Sequence, residues 1–406
     1  MRLRPALLLI GALSTAAASP SAGALSIVPT YDASITGHPQ GTFIMNTINS
    51  AISLYSGKIQ DNVTVNIIFQ TMNSGLGGSS TYNQTVSYSS WLSAVRDRAS
   101  SLDDAVALDH LPNGPANPVN GSTNIRISFP LARALGFTNP PTSGSSLAVE
   151  RAISILHAAN EDAATRTRVA NEVRRVLETS VTSPQHTQAG EDATISLNVS
   201  ICDLDGGVPP ADRYDLKAVV CHEIDEVLGS SSILTGLNNG DPAPTDLVKA
   251  QDLYRYDPRG NRHLNTTAAD TAYFSIDGLN QLMRYNQNAT GDFSDWWSPS
   301  GHPNPHVQDA FATPAVIPAM DVEWVVLDVL GWSYAPRGVW VDFNYPGFQV
   351  GVYDLPFRTI AAAVNNVPVG GLILVKGGGG RTTSELPTIS KVLTITTVGG
   401  LATIGQ

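Results

Sequence analysis

"YDLKAVVCHEIDEVLG", residues 214–229, is the stretch on which the reading of this chain turns. Leu216, Val220, Ile224 and Val227 recur at helical spacing and form one apolar stripe. Asp212 or Asp215 can cap the start of such a helix, and Gly229 can end it in a left-handed turn. A well-delimited amphipathic helix is therefore predicted. On it, His222 and Glu226 stand four residues apart and share a face. Two donors on adjacent turns can grip one ion.

That spacing is the logic of HExxH, where two histidines hold zinc and the glutamate beside the first acts as general base toward water. Glu223 occupies the place of the base, and Glu226 that of the second histidine. A carboxylate oxygen also binds Zn²⁺, but each added carboxylate weakens the ion's pull on a water proton and favours Mn²⁺ or Ca²⁺. A third ligand is required. In the longer signature HExxHxxGxxH, Gly229 matches the glycine, while the last position falls on Ser232, a poor ligand. Further along, "SPSGHPNPHVQDAF" (298–311) offers His302, His306 and Asp309, either as ligands reaching across a cleft or as solvated loop residues. No methionine turn is evident in "PHVQDAF"; Met320 lies further on. Asp225 reads as a surface charge, and Tyr256, Tyr273 or Trp297 could donate to a developing oxyanion. The plain alternative is an amphipathic helix whose acidic residues face water.

The 406 residues, 42% of them hydrophobic, leave room for more than one core. The opening "MRLRPALLLIGALSTAAASPSAGA" (1–24) has two arginines, an apolar run and a small-residue site at Ala22-Gly23-Ala24, the pattern of a cleaved export signal. That run is shorter than the roughly 20 residues a membrane span needs. A secreted, extracellular or periplasmic protein without a membrane span is expected. The net charge of −11, with 24 Lys+Arg that are not clustered, argues against nucleic acid and anionic membrane surfaces as partners. Cys202 and Cys221 are the two cysteines; export permits a disulfide between them, and a free core thiol on the motif helix is the alternative. Six Asn-x-Ser/Thr sites (Asn62, Asn83, Asn120, Asn198, Asn265, Asn288) matter only in a eukaryotic secretory pathway.

Along the chain, "NTINSAISLYSGKI" predicts a helix with Ile48, Ile52 and Leu54 inward, and "VTVNIIFQTM" a strand alternating at Val63, Val65, Ile67 and Phe69. "NSGLGGSST" (73–81) reads as a glycine-rich turn, not a phosphate loop, since it lacks the Lys-Ser/Thr ending. "SYSSWLSAVRDRASSLDDAVALDHLP" is expected to be helical up to Pro112, "STNIRISFPLARALGF" and "DATISLNVSI" to contain strands, residues 147–180 to form a helix with charges on its outer face, and "EWVVLDVLGWSY" to be a short helix closed by Gly331. This order predicts an α+β domain over residues 25–335. From 336 to 406 the texture changes: a helix "FRTIAAAVNNV" precedes short β-runs "LILVK", "LTITTV" and "ATIG" at intervals of about 20 residues, the period of a parallel β-solenoid.

Two resemblances follow from these pieces. Residues 40–334 resemble a bacterial exported metalloprotease-like family, related to zincins of PEP-CTERM-bearing genomes, through "NSGLGGSSTYNQTVSYSSW", "AVVCHEIDEVLG", "DLYRYDPRG", "AYFSIDG", "GDFSDWW" and "LDVLGW" in that order. The resemblance implies a zincin-like, metzincin-related catalytic fold. Members with intact HExxH often carry Ser-His-Trp where this chain has Ser294-Asp295-Trp296, so it also implies Asp295 as the third ligand. Histidine gives way to a carboxylate at both 226 and 295. The implied activity is metal-dependent hydrolysis of proteins or peptides, with His222, Glu226 and Asp295 on Zn (or Mn or Ca) and Glu223 as base. The last 70 or so residues resemble the start of a right-handed β-helix of the pectate-lyase-like class. That resemblance implies a short β-helix-like segment able to contact surface polysaccharide. A competing reading is a non-catalytic surface or binding protein on the same scaffold; a polysaccharide lyase would rest on the short C-terminal segment alone.

Overall fold

The structure, a computed structural model, describes residues 24–137 and 190–405, apart from 238, 239, 241, 242, 244–246, 300, 301, 303, 335–337, 348, 350, 354 and 368. The expected export signal, through residue 23, and the expected helix over 147–180 lie outside the described residues.

Helices and several small sheets alternate in an α+β arrangement. The chain begins with β1 (Ser26–Tyr31), α1 (Gly41–Lys58), β2 (Thr64–Thr71) and β3 (Gly77–Thr81). The pair β4 (Asn83–Ser87) and β5 (Asn124–Ser128) encloses α2 (Tyr88–Arg98) and α3 (Leu102–Asp109), and α4 (Phe129–Ala134) follows. Then come β6 (Ala193–Leu197), α5 (Leu216–Leu228) and α6 (Val322–Leu330). The main sheet runs β1-β2-β6-β3, parallel except for its last strand, which pairs antiparallel with β6. Val65, Ile67 and Phe69 of β2 alternate into the core, as period-two spacing requires. Among the described residues, no helix is long and apolar enough to cross a membrane.

Three local expectations are corrected. On α1 the inward residues are Ile48, Ile52 and Tyr55, while Leu54 is 41% exposed. Position 55 continues the i, i+4, i+7 stripe and 54 falls off it. The predicted single helix over 87–112 is two, α2 and α3, broken at Ala99–Ser101. There the Ser101 hydroxyl accepts from Asp104 N–H and the Asp104 carboxylate accepts from Ser101 N–H. This capping box starts a new helix even though the sequence stays helix-compatible. Finally, the glycine-rich turn covers only the first part of 73–81, because residues 77–81 form β3. Those glycines leave room for α5 beneath the strand.

The C-terminal part has β7 (Val339–Val341), α7 (Ile360–Asn366), β8 (Leu372–Lys376), β9 (Arg381–Thr383), β10 (Thr394–Val398) and β11 (Ala402–Ile404). All its pairings are parallel: Trp340 with Leu374, Leu372 with Thr394 and Arg381 with Ala402. At the corner between rungs a Cβ on Gly377 would stand 2.0 Å from the Gly400 carbonyl oxygen, so only glycine fits. Among the described residues these strands do not close into a complete solenoid. Trp340, fully buried beside Ala105 and Leu374, ties this part to α3 and donates its indole N–H to Ala99 O.

Candidate metal centre

Asp215 caps α5, its carboxylate accepting from Lys217 N–H at 2.9 Å, and Gly229 ends the helix at φ 125°. Leu216, Val220, Ile224, Val227 and Leu228 are fully buried, so packing against the core fixes the rotation of the helix. The other side is pinned as well. The Tyr55 hydroxyl lies 2.8 Å from both Cys221 O and an Asp225 carboxylate oxygen, and Trp332 Nε1 donates to Leu228 O. Asp225 is therefore no surface charge: its exposure is 0%, because it points toward α1 and the Gln308 loop. Burial, and next the charge of Glu323, hold its carboxyl well above the usual range. Cys202 and Cys221 are both free and buried, and burial pushes the Cys202 thiol up to about 12.

With the helix set, His222 and Glu226 face a cleft of about 580 Å³. His222 Nδ1 donates to Val307 O at 2.9 Å, since a carbonyl can only accept; in the neutral ring this turns the Nε2 lone pair toward the cleft. Glu226 Oε1 lies 3.8 Å from that nitrogen, while its Oε2 accepts the Ser79 hydroxyl at 2.5 Å. Asp295 reaches in from a distant loop, its Oδ2 lying 3.7 Å from His222 Nε2. Trp296, fully buried and bonded through Nε1 to Glu323 at 2.9 Å, anchors the Asp295 backbone. Glu223 lines the same cleft at 5% exposure, directly under β3.

One ligand atom from each of His222, Glu226 and Asp295 lies within 4.8 Å of the others. An ion with tetrahedral bonds of about 2.1 Å needs ligand atoms roughly 3.4 Å apart, so the donor set fits a divalent ion with a small inward adjustment. Asp295 Oδ1 is buried with no donor in good hydrogen-bonding geometry, a costly state for an ionised carboxylate. The electrostatics agree. Burial by itself would depress the His222 imidazole, but Asp295, Glu223 and Glu226 carry it up to about 10. Burial, then the charge of Glu226, hold the Glu223 carboxyl well above the usual range. Burial likewise raises Glu226 and Asp295, against the pull of His222. Four ionisable groups thus crowd one buried cleft, and each shifts the proton affinity of the others.

His302, His306 and Asp309 do not join this set. His302 Nδ1 lies 3.9 Å from Asp309 Oδ2, and His306 Nε2 lies 3.2 Å from Asp321 Oδ1. Ser232 is buried and donates to Asp252, away from any ligand role. Tyr256, Tyr273 and Trp297 lie outside the cleft lining; the tyrosine that lines it is Tyr214. Gly77, Ser79 and Tyr214 are the site residues that sequence reasoning missed. Their only signals were the Gly-Gly-Ser run and a tyrosine just before the motif helix. A comparison with protein-family models gives no match for this chain, and comparisons with curated proteins and with solved structures give none either.

Proposed function

We propose that the chain is an exported metal-dependent peptidase on a zincin-like scaffold, followed by a short β-helix-like segment. The observation that carries the reading is the convergence of His222, Glu226 and Asp295, from two distant parts of the chain, beside a buried Glu223 in an open cleft. A divalent ion held there, zinc or the harder manganese or calcium, supplies Lewis-acid polarisation of a carbonyl and an acidified water. The protein's own groups do the rest. His222 is held in one tautomer by Val307 O, Ser79 holds one oxygen of Glu226, and Glu223 accepts a proton from water and returns it to the leaving amine. A bound divalent ion would favour the ionised form of these carboxyls, the form a base needs.

Peptide is the substrate class that β3 suits. It is the last strand of the sheet and borders the cleft through Gly77, Gly78 and Ser79. Tyr82 N–H donates to Asp192 O and Leu76 O accepts from Asn198 N–H, the residues flanking β6, so the even-numbered residues face β6. By antiparallel alternation, the backbone groups of Gly77 and Ser79 face outward, where an extended chain can pair with them.

A second reading, a non-catalytic binding protein, draws on Glu226 standing where a histidine would give a stronger Lewis acid. Casein hydrolysis with added Zn²⁺ or Mn²⁺ separates the two. Glu223→Gln is expected to lower turnover by about 10²- to 10⁴-fold while retaining the ion at His222. Activity that survives this change rejects the mechanism. A chain that never cleaves, and whose melting ignores every divalent ion, favours the second reading.

A further inference from the structure

The segment that offered alternative third ligands has a different arrangement of its own. Asp309 is 5% exposed, and neither of its carboxylate oxygens makes a well-formed hydrogen bond, with only the His306 backbone N–H near enough to favour its charge. His302 Nδ1 is likewise buried without one, and it stands 3.9 Å from Asp309 Oδ2. That distance is too long for a hydrogen bond, yet it suits two ligand atoms that share one ion. The backbone of Asp309 is fixed: its N–H donates to His306 O, and the chain pairs with Trp296, where Ala310 N–H donates to Trp296 O. Asp309 also lines the cleft. A buried carboxylate with so few donors around it attracts a cation, and the imidazole nitrogen 3.9 Å away favours a first-row divalent ion over sodium or potassium.

We propose that His302 and Asp309 form a second cation site at the cleft, taking a divalent ion of the zinc or manganese class with water in its remaining positions. Its ligands are separate from the His222, Glu226 and Asp295 set. The ion ties His302, whose N–H donates to Pro299 O, to the strand pair at Trp296, and so fixes one wall of the cleft. The site stands or falls independently of the peptidase reading.

The test is equilibrium dialysis of the full chain against Zn²⁺ at neutral pH, with ions per chain counted by atomic absorption. Wild type is expected to hold two. Asp309→Asn and His302→Ala should each hold one, Glu226→Gln one, and the Asp309→Asn/Glu226→Gln double variant none. Metal-free melting of Asp309→Asn at or above wild type shows that the loss of an ion is not a loss of fold. A wild type holding one ion that Asp309→Asn leaves in place overturns the proposal, making the pair a plain imidazolium–carboxylate contact. Two ions in both wild type and Asp309→Asn overturn it equally. One ion in wild type, lost in Asp309→Asn and kept in Glu226→Gln, supports this site and sinks the metal set proposed at His222.

Discussion

The smallest group with a defined task is the Ser79 hydroxyl, which holds the oxygen of Glu226 that does not face His222. Groups that orient a ligand from outside are commonly worth about 10- to 100-fold in metal affinity. Ser79→Ala is therefore expected to weaken Zn²⁺ binding at the His222 set by that factor, as read by competition with a chromogenic chelator. Metal-free melting should barely move, because Ser79 is half-buried on an edge strand. Unchanged affinity would mean that Glu226 needs no orienting partner. Asp225 teaches the opposite lesson about single residues. Its charge suggested a surface position, and only the packing of Tyr55 and Gln308 around it makes it a buried acceptor.

At the scale of elements, the close approach of β3 to α5 sets the position of the base. A Cβ on Gly77 would meet Glu223 Oε1 at 2.3 Å and Val219 Cγ1 at 2.9 Å, while the backbone there is not in the left-handed region. Gly77→Ala is thus a steric change aimed at the Glu223 carboxyl. Displacing a reacting group by about 1 Å commonly costs on the order of 10²-fold in rate. The expected result is a loss of that size in kcat with metal content retained. A fully active Gly77→Ala enzyme would mean that β3 does not set the position of the base. A second junction joins α3 to α6. Burial pushes Asp104 up to about 7 and holds Asp328 well above the usual carboxyl range, with each raised further by neighbouring aspartates. Asp328 Oδ1 is buried without a hydrogen-bond partner, and Oδ2 accepts the Ser101 hydroxyl. Both folded pKa values exceed the unfolded ones, so the folded state binds more protons and stability falls as pH rises from about 4 through 7. Asp328→Asn, which keeps an acceptor for Ser101 and removes the charge, is expected to raise Tm by a few degrees at pH 8. The gain should shrink toward zero near pH 4. A gain that is equal at both pH values would assign the effect to packing instead.

Across the whole molecule, the main core and the C-terminal rungs meet at Trp340 and at the bond from Gly338 N–H to Ser100 O. Removing a buried Trp side chain costs about 3–5 kcal/mol. Trp340→Ala is expected to expose the C-terminal rungs to limited proteolysis while the His222 set keeps its ion. Simultaneous loss of both would mean that the two parts fold as one unit and that no domain boundary lies near 336. The junction also explains what was legible: parallel β-runs at a fixed period show in sequence, whereas the surface they lean on does not.

The sequence alone determined the elements whose causes are local. The apolar stripe, the Asp215 cap and the Gly229 stop define α5, and α5 by itself sets His222 and Glu226 on one face. The α+β class followed from the order of such elements. What only tertiary structure decided is whatever joins residues far apart in the chain: which of several downstream side chains meets His222, how a glycine-rich stretch becomes the edge strand over Glu223, and where Asp225 lies. Those outcomes depend on the packing of Trp296, Tyr55 and Gln308 around α5, and periodicity along one segment carries no record of what packs against it.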